Sequence, residues 1–303
     1  MNPGGDTASI FAVAGRQAGA WLRALRPTQW IKNGVVFAGL VFGGKLLDPL
    51  ALAQATLAFL VFCTVSSGFY LINDVVDRQA DQRHPLKRLR PVAAGEIAAS
   101  RALVAGLFLV GAALACALAL GIPFFLATLA YALLMAGYNL WFKRVVILDV
   151  FVIAGGFVIR AAAGALAVDV TISPWLLICT MLLALLIAFG KRRHEFVSLP
   201  EARHHRRNLE HYTLALLDQC VAISAMGTLV AYGVYTFDAE SVPRDHRLML
   251  TIPLVAYGIF RYLYLLYRRG DGGAPEAMLV TDRPLLISLG AWAVMIGVLY
   301  YGS

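Results

Sequence analysis

An all-α integral membrane protein is the fold class this sequence predicts, and three observations predict it. The 303-residue chain is 60% hydrophobic and 15% charged, with a mean hydropathy of +0.72. Soluble domains run nearer ~45–50% apolar and ~25% charged. Apolar runs recur at the ~20-residue length that crosses a bilayer as a helix. Basic residues gather in alternate connecting segments, 16–32, 78–101, 143–144, 191–207 and 268–283, while the intervening ones hold only Lys45, Arg244 and Arg247. The positive-inside rule then sets a cytoplasmic N-terminus.

The runs, in order, are Ile31–Leu47, Leu50–Ile72, Leu103–Leu120, Ile122–Phe142, Val145–Val168, Pro174–Gly190, Leu214–Phe237, Leu248–Tyr267 and Leu285–Tyr301, nine expected spans. Residues 1–20 are rich in Gly and Ala and are expected to be poorly ordered. They lack a charged region followed by an apolar core, so no cleavable signal peptide is expected. Residues 21–303 read as one transmembrane helical domain. Trp21 to Asn33 reads as an interfacial amphipathic lead-in with Trp21 and Trp30 as anchors.

The net charge of +8 falls on one face of the membrane, which suits anionic lipid or phosphorylated substrates. Nucleic acid is excluded as a partner, because no basic, aromatic-interleaved soluble module is present. Cys63, Cys116, Cys179 and Cys220 lie within spans without C-x-x-C spacing and are expected to be buried free thiols.

Asp74, Asp77 and Asp81 leave the second run at i, i+3 and i+7. On a helix they fall within roughly 60° of one another, with ~10 Å between the outer two. Stacked like charges repel, so the stripe calls for a neutralising cation. An all-oxygen set without His or thiolate favours Mg²⁺, which keeps several waters and completes its shell with substrate phosphate oxygens. The alternative is a solvated helix end paired with Arg78 and Arg83.

Candidate anion-binding residues surround this stripe. Arg83, Lys87, Arg88 and Arg90 follow it in a loop punctuated by Pro85, Pro91 and Gly95, which reads as a structured cap. Lys32 sits just inside the first run, with snorkelling as its alternative role. Tyr138 and Lys143 close the fourth. Asp149 and Arg160 share a face of the fifth run, ~16 Å apart along the axis. A charge there is expensive; Arg160 is a substrate-binding candidate, with pairing to an acid on another span as its alternative role. Lys191, Arg192, Arg193 and Glu195 stand at the mouth of the sixth run. His204 and His205 lack ligand spacing and read as solvated. The 238–245 and 268–273 segments read as plain connectors.

The stretch Asn73-Asp74-Val75-Val76-Asp77-Arg78-Gln79-Ala80-Asp81, followed by Arg90-Pro91-Val92-Ala93-Ala94-Gly95, resembles the first motif of the UbiA-type prenyltransferase superfamily. The resemblance implies a nine-helix bundle around a central cavity, with a cytoplasmic active site where Asp74, Asp77 and Asp81 hold Mg²⁺ against a pyrophosphate. Ordinary members carry a second aspartate-rich motif after the sixth span; here that place reads Lys191-Arg192-Arg193-His194-Glu195. With Arg26 to Asn33 and Leu148 to Ala161, the basic replacement is similar to the branch that moves a phosphoribosyl group from phosphoribosyl pyrophosphate onto a polyprenyl phosphate, toward cell-wall arabinose donors.

The chemistry points the same way. One acidic and one basic motif suit one metal-bound pyrophosphate plus free phosphates on donor and lipid. The rival enzyme reading is prenyl transfer onto an aromatic or quinone-precursor acceptor. The non-enzyme reading, a transporter using Asp149 and Arg160 as a relay, leaves the acidic stripe unused. Lipid chain length and oligomeric state are not written in the sequence.

Overall fold

The computed structural model describes residues 15, 17–171, 173–198, 209–238, 246–269, 273, 278 and 281–301. The expected disorder of residues 1–20 falls largely outside them, as do His204, His205, residues 239–245 of the 238–245 connector and 270–272 of the 268–273 connector. The described residues are helical, with no strand among them. A 3₁₀ segment, Pro27–Phe37, leads into the short helix α1, Ala38–Phe42. Then come α2 (Pro49–Val76), α3 (Arg78–Arg83), α4 (Ala99–Ala117), α5 (Ile122–Leu140) and α6 (Leu148–Ala167). The series closes with α7 (Pro174–Ser198), α8 (Leu214–Asp238), α9 (Ile252–Tyr264) and α10 (Arg283–Tyr301).

Among the described residues, eight helices are long and apolar enough to cross a membrane, one fewer than the runs suggested. The difference lies at Ile31–Leu47, which is not one α-helix but the 11-residue 3₁₀ segment followed by the 5-residue α1. At ~2.0 Å per 3₁₀ residue and ~1.5 Å per α residue, their contour is still ~30 Å, the thickness of a hydrocarbon core.

Local chemistry sets the helix ends. The Asp48 carboxylate accepts from the Leu50 and Ala51 N–H groups at 2.9 and 3.3 Å and caps α2. Gly121, at φ +95°, and Pro123 start α5. Thr213 Oγ1 accepts from Leu216 N at 3.1 Å at the head of α8, and Asp282 Oδ1 from Leu285 N at 3.0 Å at the head of α10.

The chain divides into two compact units. The first comprises residues 1–33 and 60–119. Its core joins Ala20 and Ala24 to Leu71, Val92, Ile97 and Ala102. Val92 and Ile97 anchor the charged segment after α3 on the apolar core. His84 Nδ1 accepts from the Leu86 and Lys87 N–H groups, and Gln82 Nε2 donates to the Ala93 carbonyl at 3.2 Å. The segment is a folded cap, as its Pro and Gly punctuation suggested. Behind it α2 and α4 cross at glycines: a Cβ on Gly68 would lie 2.8 Å from the Gly106 carbonyl oxygen, and one on Gly106 2.9 Å from the Gly68 oxygen.

The second unit comprises residues 34–59 and 120–303. Within it α7 packs most extensively on α8, then on α6, and α6 on α5. Val150, Ala154, Leu186, Phe189, Leu217 and Val221 form the centre of its core. The small residues of α6 allow close approach; a side chain on Gly164 would run into the Val36 carbonyl. All four cysteines are free, but only Cys63 and Cys179 are buried; Cys220 is half-buried and Cys116 exposed, because it faces outward from α4.

The glycine crossing makes a direct prediction. Gly106→Val is expected to cost about 1–3 kcal/mol through overpacking, read as a lower thermal midpoint in detergent. Gly111→Ala on the same helix, with nothing within 4 Å of its new methyl, is expected to leave the midpoint unchanged or raise it.

Candidate functional site

The first polar cluster lies in the first unit, where α2 runs into α3. Asp77 ends α2 and begins α3 at φ −91°, ψ 4°, yet the helical bonds continue through it: Asp77 N donates to Asn73 O and Asp81 N to Asp77 O, both at 2.8 Å. The three acids therefore keep their helical stripe. Asp74 is 1% exposed and Asp81 3%, while Asp77 and Asn73 are half-buried.

Their neutralising charges are arginines, though not Arg78 or Arg83. Arg26 Nη2 donates to Asp74 Oδ1 at 2.5 Å. Arg90 Nη1 bridges the acids, 2.7 Å from Asp81 Oδ2 and 3.3 Å from Asp74 Oδ1. Arg26 adopts φ +54° and also covers the Tyr70 ring, its guanidinium carbon 4.9 Å from the centroid. Burial holds the Arg26 guanidinium below its ordinary pKa, against the opposing pull of Asp74. Arg83 and Arg88 are exposed and Lys87 half-buried. Lys32 bonds to Gln29 Oε1 beside this unit's polar pair Asn33–Ser66.

Among the described residues no three His, Cys, Asp or Glu side chains are gathered as a ready metal cage. The reason is visible in the ion pairs, since Arg90 occupies the gap between Asp74 and Asp81. The residues still fit a hard divalent cation. Asp74 Oδ2 is buried with no hydrogen-bond partner, an unused carboxylate oxygen beside Asp77. A cation of the Mg²⁺ type needs one or two such carboxylates, with waters and substrate phosphates completing its shell.

The second cluster lies in the second unit, at the head of α6 and the tail of α7. Asp149 is fully buried and Arg192 4% exposed. Arg192 Nε and Nη2 both donate to Asp149 Oδ2, at 3.1 and 2.9 Å, and Nη1 donates to Glu195 Oε2 at 3.0 Å. Tyr138, at the end of α5, is an electrostatic neighbour of Arg192. Tyr212, just before α8, donates from its hydroxyl to Asp149 Oδ1 at 3.5 Å and accepts from Ile147 N at 2.7 Å. Burial and Asp149 push the Tyr212 phenol up to about 12, so it stays protonated and a donor. Lys191 and Lys143 are half-buried at the same helix ends.

Arg193 takes a different course. Its Nε donates to Asp218 Oδ1 at 2.6 Å and its guanidinium carbon lies 4.1 Å from the Tyr267 ring centroid, within the short π-helix Leu265–Arg269. Among the described residues Arg160 has no carboxylate partner, which sets aside its ion-pair alternative. It donates to the Tyr131 hydroxyl at 2.6 Å, faces the Tyr131 and Phe157 rings at 4.6 and 5.1 Å, and leaves Nε without a partner. Aromatic faces and one hydroxyl replace the acid. Arg26 and Tyr212 were missed in the sequence. Arg26 had a signal in the basic lead-in on the side of the acids; Tyr212 had none.

These features define a multi-pass, all-helical membrane protein whose polar chemistry is concentrated in an arginine-compensated acidic stripe and a buried Arg–Asp–Glu cluster. The chain belongs to the UbiA prenyltransferase family, whose sequence profile matches residues 34–290. It is 31% identical over 297 residues to the decaprenyl-phosphate phosphoribosyltransferase of Corynebacterium glutamicum, covering 94% of this chain and 87% of that protein. It is 33% identical over 296 residues to the enzyme of that name from Mycolicibacterium smegmatis, covering 93% and 92%. A UbiA homolog from Archaeoglobus fulgidus, solved with GPP and Mg²⁺, superposes with a TM-score of 0.72 at 20% identity over 93% of this chain and 98% of that one, which establishes the fold.

The buried pair sets the next prediction. Arg192→Met strands the Asp149 carboxylate and is expected to cost about 3–5 kcal/mol of stability. Adding Asp149→Asn is expected to recover much of that loss, so a double-mutant cycle on thermal unfolding in detergent will be far from additive.

Proposed function

We propose that this protein transfers the 5-phosphoribosyl group of phosphoribosyl pyrophosphate to a polyprenyl phosphate of the decaprenyl class and releases pyrophosphate. The observation that carries the reading is the second cluster. Lys191, Arg192 and Arg193 stand where a prenyl pyrophosphate enzyme would bring a second set of acids, in a chain whose near full-length relatives bear the phosphoribosyltransferase name. The assignment of bacterial cytoplasmic membrane with the N-terminus inside rests on the alternation of basic segments and on bacterial relatives. The pathway served is the supply of a lipid-linked pentose for cell-wall arabinan.

In this reading Asp74, Asp77 and Asp81 are the residues that hold Mg²⁺. Bound there, the ion withdraws charge from the leaving pyrophosphate. Arg90 and Arg26, ion-paired to Asp74 and Asp81, are placed to take up phosphate charge as the C1–O bond breaks. The ribose C1 gains oxocarbenium character, and a lipid phosphate oxygen forms the new C1–O bond from the opposite face. That nucleophile arrives already ionised, so no side chain has to remove a proton. Lys191, Arg192 and Lys143, with Tyr138, serve the phosphate that carries no metal. Asn73, Lys32, Lys87 and Arg88 are assigned to substrate approach, and Arg160 to the interior wall.

Purified protein in detergent is expected to release pyrophosphate from phosphoribosyl pyrophosphate only when Mg²⁺ and a polyprenyl phosphate are both present. It is expected to be inert to polyprenyl pyrophosphate offered with 4-hydroxybenzoate. Turnover of the aromatic pair and none of the sugar pair would sink the proposal in favour of ordinary prenyl transfer. Asp77→Asn is expected to drop turnover by at least ~10²-fold with little change in thermal midpoint, whereas Asp74→Asn, which also breaks the ion pairs to Arg26 and Arg90, is expected to lower turnover and midpoint together. Mg²⁺-dependent turnover at the wild-type rate in both variants would remove the acids from the metal site.

A further inference from the structure

The head of α6 is held in a strained turn. Ile147 has φ +66° and ψ −46°, and Leu148 N donates to Val146 O at 2.7 Å across it, closing a three-residue γ-turn. Of the four non-glycine residues with positive φ, Ile147 is the only β-branched one among the described residues. A second branch on Cβ makes this conformation costly, and such strain persists only where the surroundings over-determine it. The side chain of Ile147 does not hold it, being 41% exposed, and no side chain caps the helix locally. The partner comes from elsewhere in the fold. Tyr212, 65 residues away and 3% exposed, accepts the Ile147 N–H at 2.7 Å.

The same hydroxyl faces Asp149 Oδ1 at 3.5 Å, two residues into the helix that the turn begins. Asp149 in turn receives Nε and Nη2 of Arg192. Three of the five N–H groups of Arg192 are thus committed to carboxylates, and the rest are available to an anion. We infer that Tyr212 is a positioning residue for the anion-binding guanidinium: its hydroxyl pins the Ile147 turn, the turn sets Asp149, and Asp149 orients Arg192 toward the donor phosphate. The last step rests on the phosphoribosyl transfer proposed above; the first two rest on geometry alone.

The test uses Tyr212→Phe, which keeps the ring and removes both polar contacts. Hydrogen–deuterium exchange of residues 147–151 is expected to rise about tenfold, the equivalent of one lost hydrogen bond, with α8 and α10 unchanged. The KM for phosphoribosyl pyrophosphate is expected to rise about tenfold while that for the polyprenyl phosphate stays fixed. The diagnostic step is rescue. Glycine accepts positive φ without steric cost, so adding Ile147→Gly to Tyr212→Phe is expected to bring exchange and KM back toward wild type. A tyrosine that merely fills the core would not be rescued by glycine at an exposed position. Unchanged exchange at 147–151 in Tyr212→Phe, or no recovery with Ile147→Gly, would overturn the inference. Absence of wild-type turnover with the sugar pair would sink the transfer reading alone, and the exchange data would still decide the role of Tyr212.

Discussion

A buried charge survives only where a neighbour answers it, because an unpaired one carries a desolvation penalty of several kcal/mol. The Asp149–Arg192 pair is the clearest case in this protein, a fully buried carboxylate met twice by one guanidinium. Around that pair the second unit arranges its helix ends: the turn before α6, the last turns of α7 with Glu195, and Tyr212 at the head of α8. Removing either partner is far costlier than replacing both.

The first unit meets the same constraint with different geometry. Three acids on one helical stripe repel, and Arg26 and Arg90 relieve the repulsion from two distant segments of chain. The positive φ of Arg26, immediately before Pro27, is the local distortion that accompanies this placement. A residue before proline is kept out of the α region, but the extended backbone it favours is not the positive φ seen here, so the placement carries a local cost of about 1–3 kcal/mol. The cap between α3 and α4 is held by Val92 and Ile97, and Arg90 rides on it two residues earlier.

The helical class, the span positions from α2 onward and the acidic stripe were legible because each depends on hydropathy or on spacing along one helix. The lead segment was not: Ile31–Leu47 has the composition of a span, but Lys32, Asn33, Gly34, Gly43 and Gly44 weaken it as an α-helix, and it folds as 3₁₀ and a short α piece. Composition cannot separate those outcomes. The choice of partner was also illegible. Arg78 and Arg83 are the basic residues nearest the stripe in sequence, yet Arg26 pairs with Asp74 across 48 positions. The surroundings of Arg160 were illegible as well, because aromatic faces are invisible until α5 and α6 are packed and Tyr131 and Phe157 close around it.

The second cluster is less cationic than its sequence suggests. Lys191, Arg192 and Arg193 lie among Asp149, Glu195 and Asp218, and the two arginines are each bound to carboxylates. A surplus of positive charge is therefore not what such a site offers a phosphate. It offers fixed direction: a guanidinium held by acids on one side has lost its rotational freedom before a ligand arrives, so less entropy is spent when the ligand binds. The same acids weaken its electrostatic pull on any anion, so direction and hydrogen bonding, not net charge, carry recognition there. Recognition at this end of the helices is thus a matter of how firmly Arg192 is aimed, and that depends on Asp149 and on the turn that sets it.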